Sequence, residues 1–418
     1  MRRTKLFAGS SHRELATLVA QRLGHPLSNV ALQAFANRET SVHIGVSVRN
    51  EDVFIIQSGS DTVNDHLMEL LIMVNACKSA SASRITAVIP YFPYSKQCKR
   101  KKERGAIAAK LVANMLSVAG VDHIITMDLH ASQMQGFFNR PIDNLVAEPC
   151  IIRWVRDNVP EWQDAVVVSK NAGGVKRVTS MADKLGINFA LIHTDRNPHR
   201  QEAWSTLSSR APSRVPSDAE DDEEDEDEED EEDEVVAGAE AAVEQANLHH
   251  RLASVNEVSA DDAVTAGSGA PSDVSKARET KAVVVADESS GESCDRRVKQ
   301  VQRLSLVGSV RGRVALLVDD MIDKPHSFLQ AAEQLMQCGA KAVYILATHG
   351  ILSGNALQLI ETSPMVRRVV VTNTFPVSAA KRQLTSKLTV IDVSSVFSEA
   401  IRRTHNGESV SFLFDHAI

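Results

Sequence analysis

Short apolar runs alternate with longer segments of helical periodicity from the start of the chain to about residue 196. The runs that predict buried strands are Val53–Gln57, Ile85–Ile89, His123–Met127 and Ala165–Val168. The segments that predict helices are His66–Ala76 and Ile107–Ala119, the second with Ile107, Leu111, Met115 and Val118 at helical spacing. This alternation predicts an α/β fold in which helices cover a parallel sheet.

The same alternation returns after about Leu304. A helix is predicted at Phe328–Cys338, where Gly339 stops it. Strands are predicted at Val314–Val318, Val343–Ala347, Val369–Val371 and Leu388–Ile391. The second half therefore repeats the architecture of the first, which indicates an internal duplication.

Residues 197–303 lack both periodicities, and 16 of the 17 residues from Asp218 to Glu234 are acidic. Such a segment is too long for an ordered loop inside a domain, so we predict a disordered acidic insertion. A short solvated helix at Val235–Leu252 is the alternative for that part. The predicted domains are then 1–150, 151–196 joined to 304–418, and the insertion at 197–303.

Deletion of Asn197–Lys299 is expected to leave the fold intact, because long surface insertions carry only a small loop-closure cost. Thermal unfolding of the full chain and of the deletion variant would measure this. A large drop in the unfolding midpoint would mean instead that the insertion packs on the body.

The acidic tract also dominates the net charge, which is -8 for the whole chain. Without those 16 negative charges the remainder would carry +8, and a basic body suits phosphorylated ligands or nucleic acid. The five cysteines are widely spaced and form no CxxC motif, so neither a disulfide framework nor a zinc site is indicated. We therefore expect a reducing, cytoplasmic location, and no apolar run predicts a membrane span.

Polar side chains follow two of the predicted strands. Asp128 and His130 come directly after the strand that ends at Met127, where they could hold a divalent metal or contact a nucleotide phosphate. The alternative is a helix-capping aspartate beside a structural histidine. Asp319 and Asp320 follow Val318, where they could bind the vicinal hydroxyls of a ribose.

The segment after Asp320 offers a phosphate contact, because Ser327 lies at a predicted helix start. The alternative is an acidic turn in which Asp323 caps that helix. A third feature is the loop Ser95–Gly105, which is dense in Lys and Arg and is placed to meet polyphosphate. Binding of nucleic acid by this loop is disfavoured, because aromatic residues do not interleave with the basic ones.

Residues 128–143 read DLHASQMQGFFNRPID, which resembles the signature of the phosphoribosyl pyrophosphate synthetases, or ribose-phosphate pyrophosphokinases. Other segments resemble the same family in the correct order: FANRETSV at 35–42, NDHLMELLIMVNACK at 64–78 and IRRTHNGESVSFLF at 401–414. The resemblance covers residues 3–196 and 304–415. It is closest to the fungal subunits with a large acidic insertion and to the synthetase-associated proteins.

The resemblance implies two phosphoribosyltransferase-like α/β domains that convert ribose 5-phosphate and Mg-ATP into phosphoribosyl pyrophosphate and AMP. It implies Mg²⁺ as the cofactor and assembly into a hexamer or a larger hetero-oligomer. ADP and phosphate would act at inter-subunit sites whose segments include Ser132, Gln135, Ser409 and Ser411. From the residues themselves we expect no nucleic-acid or membrane partner.

The resemblance also assigns roles to individual residues. The nucleotide side would consist of Phe35 against the adenine, Asn37, Glu39, Lys96, Gln97 and His130. The catalytic residues would be His130 and Arg196. Magnesium would be held by Asp128, His130 and Asp143. The ribose phosphate would be bound by Asp319, Asp320 and Ser327.

Several catalytic positions depart from the family pattern. Active members have arginine at Lys96, aspartate at Lys101, Asn139 and Asn171, and lysine at Thr194. Their 5-phosphate loop reads DDxxDTxGT, whereas this chain reads DDMIDKPHS from Asp319. Pro325 removes one backbone N–H from a loop that binds phosphate through such groups. We therefore predict weak catalysis by this chain within a hetero-oligomer, with a regulatory or scaffolding homologue as the alternative.

Overall fold

The structure, a computed structural model, describes residues 3–100, 104–195 and 303–416. The predicted insertion lies outside the described residues up to residue 302, as do Lys101 and Arg196. The chain forms two compact units, Met1–Ala165 with Gly312–Ile418 and Val166–Arg311. The domain boundaries predicted from the sequence stay a prediction.

The predicted α/β fold class is confirmed. The strands are β1 (Thr4–Ala8), β2 (Val30–Ala34), β3 (Thr40–Ile44), β4 (Asp52–Ile56), β5 (Arg84–Ile89), β6 (His123–Met127), β7 (Ile142–Leu145), β8 (Val166–Ser169), β9 (Asn188–Asp195), β10 (Arg303–Val307), β11 (Val314–Ile322), β12 (Ala342–Gly350), β13 (Val366–Thr372) and β14 (Leu388–Ile391). The helices are α1 (Arg13–Leu23), α2 (Val63–Ser79), α3 (Ala108–Ala119), α4 (Glu148–Asn158), α5 (Val175–Leu185), α6 (His326–Gln337), α7 (Ala356–Thr362), α8 (Ala379–Gln383), α9 (Ser394–Asn406) and α10 (Phe412–Asp415).

The N-terminal sheet of the first unit has the strand order β1-β4-β5-β6-β7, and every neighbouring pair is parallel. All five residues of β6 are buried, as are five of the six residues of β5. Burial on both faces explains why these strands are continuous apolar runs in the sequence. The antiparallel hairpin β2–β3 stands apart from this sheet.

Helix α3 is confirmed, but its packed face is not the row of large apolar residues that the sequence emphasised. The buried side chains are Ala109, Val112, Ala113 and Leu116, whereas Leu111 is 58% exposed and Val118 is 87% exposed. The spacing therefore predicted the helix correctly without revealing which face is buried.

The first unit also contains the parallel strands β11, β12, β13 and β14, paired in that order. Both β11 and β12 extend beyond their predicted ends. Asp319 pairs with Ala347 and Met321 pairs with His349, so the pairing continues into segments that contain polar residues. The second unit pairs β8 with β9 in parallel and β9 with β10 antiparallel, with α5 packed against β8 and β9.

The carboxyl ends of the two parallel sheets in the first unit meet each other. Ser58, after β4, donates a 2.7 Å hydrogen bond to the carbonyl of Thr374, after β13. Tyr91, after β5, packs against Phe375 with 5.5 Å between ring centroids. Ligands of open α/β sheets bind at carboxyl strand ends, so this junction is where a site is expected.

None of the helices formed by the described residues is both long enough and apolar enough to cross a bilayer.

Candidate active site

Asp128 joins the carboxyl end of β6 to two other strands. Its Oδ2 accepts hydrogen bonds from the Thr348 hydroxyl (2.6 Å), within β12, and from the N–H of Ala147 (3.1 Å), after β7. The Asp128 backbone has a φ of +42°. Residues other than glycine are uncommon in this region, although aspartate occurs there more often than most. The contacts from both sheets hold Asp128 in this conformation.

His349 contacts the backbone of Asp128. It is 1% exposed, and its Nε2 lies 3.0 Å from the carbonyl oxygen of Asp128. Its Nδ1 lies 2.8 Å from the Thr374 hydroxyl, and its ring lies against Tyr91 with 4.9 Å between centroids. Burial lowers the pKa of His349, so the neutral ring donates its Nε2–H to the Asp128 carbonyl.

Thr348→Val is expected to lower the free energy of unfolding by ~1.5–3 kcal/mol, because it removes a hydrogen bond to a charged group while keeping the side-chain shape. Equilibrium denaturation would measure the loss. Thr126→Val is the matched control, since Thr126 Oγ1 is buried on β6 without a hydrogen-bond partner among the described residues. Equal losses in the two variants would contradict a role for the Thr348–Asp128 bond.

His130 and Asp320 form a close pair between the two sheets. The Nδ1 of His130 lies 2.6 Å from Oδ2 of Asp320, and the side chains are 31% and 5% exposed. Asp319 is half-buried, and its Oδ1 accepts the N–H of Asp320 at 2.9 Å. Both carboxylates lie inside β11, so the alternative of an acidic turn does not hold.

Lys96 and Asp323 connect two loops at this junction. The Lys96 Nζ lies 3.3 Å from Asp323 Oδ2, while Asp323 Oδ1 accepts the N–H of Ser353 at 3.3 Å. Burial acts to raise the pKa of Asp323, but Ser353 and Lys96 outweigh it, and the pKa lies below its ordinary value. Asp323 does not cap the following helix, whose N-cap residue is Pro325.

The turn of the β2–β3 hairpin carries Phe35. Its ring is 59% exposed, which excludes a role as a core aromatic. The turn is closed by a 2.9 Å bond from Phe35 N–H to the Glu39 carbonyl and a 3.2 Å bond from Glu39 N–H to Asn37 Oδ1. An exposed ring on a fixed turn can stack on a nucleobase.

Asp143 lies apart from Asp128 and His130. Its Oδ2 is 2.8 Å from Nε2 of His123, the first residue of β6, whereas Asp128 follows the last residue of that strand. The Nδ1 of His123 accepts a 2.7 Å hydrogen bond from the Arg84 guanidinium. The structure therefore joins His130 to Asp320 and Asp128 to Thr348 at the carboxyl ends of the strands, and it places Asp143 in a separate cluster at the amino end of the sheet.

Two other predicted site residues lie on the surface. Ser327 is exposed in the first turn of α6. Gln97 is also exposed, and its backbone bonds to Tyr94 and Ala109 fix the loop after β5. Arg196 lies outside the described residues.

The described residues contain no group of three or more His, Cys, Asp or Glu side chains that could hold a metal ion. Enzymes of phosphoryl transfer commonly hold Mg²⁺ through one or two carboxylates and the phosphates of the substrate. The carboxylate of Asp128 and the imidazole of His130 suit a cation that arrives with a polyphosphate. They do not form a closed cage by themselves.

Thr348 and His349 were missed by the sequence reasoning. They directly follow the run Val343–Ala347, which predicts only the first part of the strand. The signal that could have found them is a Thr-His pair at the end of a buried strand, in a fold whose ligands bind at such ends.

Comparison with known proteins connects this geometry to a family. Residues 4–120 match the N-terminal domain of ribose phosphate pyrophosphokinase, and residues 247–415 match the phosphoribosyl synthetase-associated domain. Ribose-phosphate pyrophosphokinase 1 of Saccharomyces cerevisiae is 47% identical over 99% of this chain and 99% of its own length. The protein of the same name from Schizosaccharomyces pombe is also 47% identical, over 100% of both chains.

A solved structure agrees with these sequence relatives. The crystal structure of phosphoribosylpyrophosphate synthetase from Mycobacterium smegmatis matches 97% of this chain and 100% of its own, with a TM-score of 0.69 and 29% identity. The resemblance found in the sequence is thereby confirmed.

Proposed function

This chain belongs to the ribose-phosphate pyrophosphokinase family, and on that premise we propose that it is a subunit of such an enzyme. The reaction would transfer the pyrophosphoryl group of Mg-ATP to ribose 5-phosphate and supply phosphoribosyl pyrophosphate for nucleotide biosynthesis, in the cytoplasm. The observation that carries the proposal is the contact of His130, after β6, with Asp320 of the acidic pair in β11, while the neighbouring Asp128 is held by Thr348 of β12.

In the proposed reaction, the C1 hydroxyl oxygen of ribose 5-phosphate attacks the β-phosphorus of ATP. A new oxygen–phosphorus bond forms at C1, the bond from the β-phosphorus to the α–β bridging oxygen breaks, and AMP leaves while the hydroxyl proton is released. Such a transfer depends mainly on positioning and on charge stabilisation of the transferring group. Fixed residues such as Asp128 and His130 suit that task.

The nucleotide side of the proposed site consists of the Phe35 turn and the loop after β5. Phe35 would stack on the adenine, with Asn37 and Glu39 beside it. Lys96 and Gln97 would approach the polyphosphate. Lys96 pairs with Asp323 through an exposed ion pair, which is weak enough to be exchanged for a phosphate contact.

The ribose side of the proposed site begins at the acidic pair Asp319 and Asp320. Ser327, in the first turn of α6, would contact the 5-phosphate. Pro325 carries no N–H, and His326 has a side chain where the family pattern has glycine. Both differences weaken the contacts between backbone N–H groups and a phosphate, so we expect a slower reaction than in a family member with the usual loop.

Magnesium would be held by Asp128 and His130 together with the ATP phosphates. When bound, it neutralises charge on the polyphosphate and polarises it. Asp143 was assigned to magnesium from the family signature. Its pairing with His123 makes a structural role at the amino end of the sheet the more economical proposal.

The chain would work in a hetero-oligomer whose other subunits carry most of the turnover. A non-catalytic regulatory role is the second candidate, and Pro325 together with the loss of the family lysine at Thr194 favours it. A reconstituted assembly separates the two. It should form AMP and phosphoribosyl pyrophosphate in equal amounts, and His130→Ala in this chain alone should lower the rate. An unchanged rate with normal assembly would support the regulatory role and contradict catalysis by this chain.

A further inference from the structure

We propose that Asp320 is a positioning residue for His130 rather than a ribose ligand. Its buried carboxylate would fix the ring so that Nδ1 carries the proton and Nε2 faces the cation-bound polyphosphate. This inference rests on the proposed function, which supplies the polyphosphate.

The burial of the two partners supports this division of roles. Asp320 is the inner member, with 5% of its side chain exposed, while His130 is the outer member with 31% exposed. A buried carboxylate is costly unless a partner compensates it, and a 2.6 Å contact is close enough to do so. The outer edge of the imidazole is then the part that a ligand in the junction can reach.

The chemistry of imidazole gives this contact a consequence. A neutral histidine carries its proton on one nitrogen, and the hydrogen bond of that nitrogen determines which one. A carboxylate only accepts, so Asp320 requires the proton on Nδ1 and leaves the lone pair on Nε2. Histidines that bind metals are commonly oriented by a carboxylate in this way.

The surroundings of Asp320 keep the pair rigid. The next residue, Met321, belongs to a buried cluster with Tyr91 and Phe375, so the strand cannot shift without losing packed contacts. Within the acidic pair, Asp319 is the more exposed member. Asp319 is therefore assigned to the ribose hydroxyls, and Asp320 to His130.

The first test is the tautomer of His130 in the full-length chain labelled with ¹⁵N-histidine. The chain has 14 histidines, and loss of one signal in His130→Gln would assign the resonance. The expected wild-type pattern is a protonated Nδ1 and an unprotonated Nε2. The opposite tautomer in the wild-type chain would overturn the proposal without recourse to any variant at Asp320.

The second test is the variant Asp320→Asn, because an amide can donate as well as accept and no longer imposes one tautomer. The expected results are a mixed or reversed tautomer and a 10–100-fold weaker affinity for Mn²⁺ in the presence of ATP, the usual effect of losing a supporting carboxylate. Asp319→Asn is the matched control. It should leave the tautomer and the Mn²⁺ affinity unchanged and should raise the KM for ribose 5-phosphate in a reconstituted assembly.

Two outcomes separate this proposal from the proposed function. A folded Asp320→Asn variant with the wild-type tautomer and Mn²⁺ affinity would overturn the positioning role, whatever the enzyme does. If the tautomer and Mn²⁺ results are as expected but no assembly forms phosphoribosyl pyrophosphate, the positioning role stands and the proposed reaction fails.

Discussion

The purified chain alone is expected to turn over ribose 5-phosphate and Mg-ATP at least ~100-fold more slowly than an active paralogue, because removal of one charge-stabilising group typically costs ~3 kcal/mol. Active members of the family have a lysine at the position of Thr194. A neutral hydroxyl at that position cannot offset the negative charge of a transferring phosphoryl group.

The phosphate loop is expected to add to this deficit. In the structure Pro325 is the N-cap residue of α6, so the chain enters this helix through a residue with no N–H to offer. Ser327, exposed in the first turn, would still supply one hydroxyl donor, but one hydroxyl does not replace a set of converging backbone donors. Weak binding of the 5-phosphate would therefore accompany slow chemistry.

Steady-state formation of AMP by the chain and by an active paralogue, purified in parallel, would measure the difference. Thr194→Lys is the informative variant, because it restores the charge without altering the loop. It should recover part of kcat, whereas Thr194→Ser should not. Near-normal turnover by the unaltered chain would contradict the prediction.

The buried strands could be predicted from the sequence because their physical requirement is simple. Strands such as β5 and β6 are covered on both faces, and a continuous run of apolar residues is the direct result. The hairpin β2–β3 was missed for the opposite reason. No residue of β2 is fully buried and three of its five residues are exposed, so its sequence carries no such run.

The candidate site was predictable only in part, since its contacts join residues far apart in sequence. Asp128 and His130 were found because both follow an apolar run. Their partners Thr348 and Asp320 lie about 200 residues away, inside strands whose predicted ends stopped at the last apolar residue. A polar residue can remain in a strand when another sheet supplies its hydrogen bonds. The hydrophobic pattern of one strand cannot reveal such partners, because they belong to a distant part of the sequence.

The same limitation applies to Asp143. The family signature places it in one continuous motif with Asp128, which suggests a shared metal. In the fold, the chain turns between the two residues and pairs β7 alongside β6, so Asp143 reaches His123 at the start of the strand. Proximity in sequence was therefore a poor guide to proximity in space.

Phe35→Ala is expected to weaken the binding of Mg-ATP by ~1–3 kcal/mol, the usual contribution of a base stacked on an aromatic ring. The ring is 59% exposed in the hairpin turn, so it contributes little to the core. The backbone bonds between Phe35 and Glu39 do not involve the ring and should survive the substitution. Affinity should fall while stability stays within ~0.5 kcal/mol of the parent, as for most surface substitutions.

Calorimetric titration with Mg-ATP, paired with thermal unfolding of the same samples, would separate the two quantities. Phe35→Trp is the matched control, because it keeps a flat ring on the same turn and should retain most of the affinity. A variant that loses stability but not affinity would assign the ring to packing instead. Failure of the well-folded parent to bind ATP at all would remove the nucleotide site from this chain and leave the regulatory role, since the hairpin, the loop after β5 and His130 are proposed to serve one ligand.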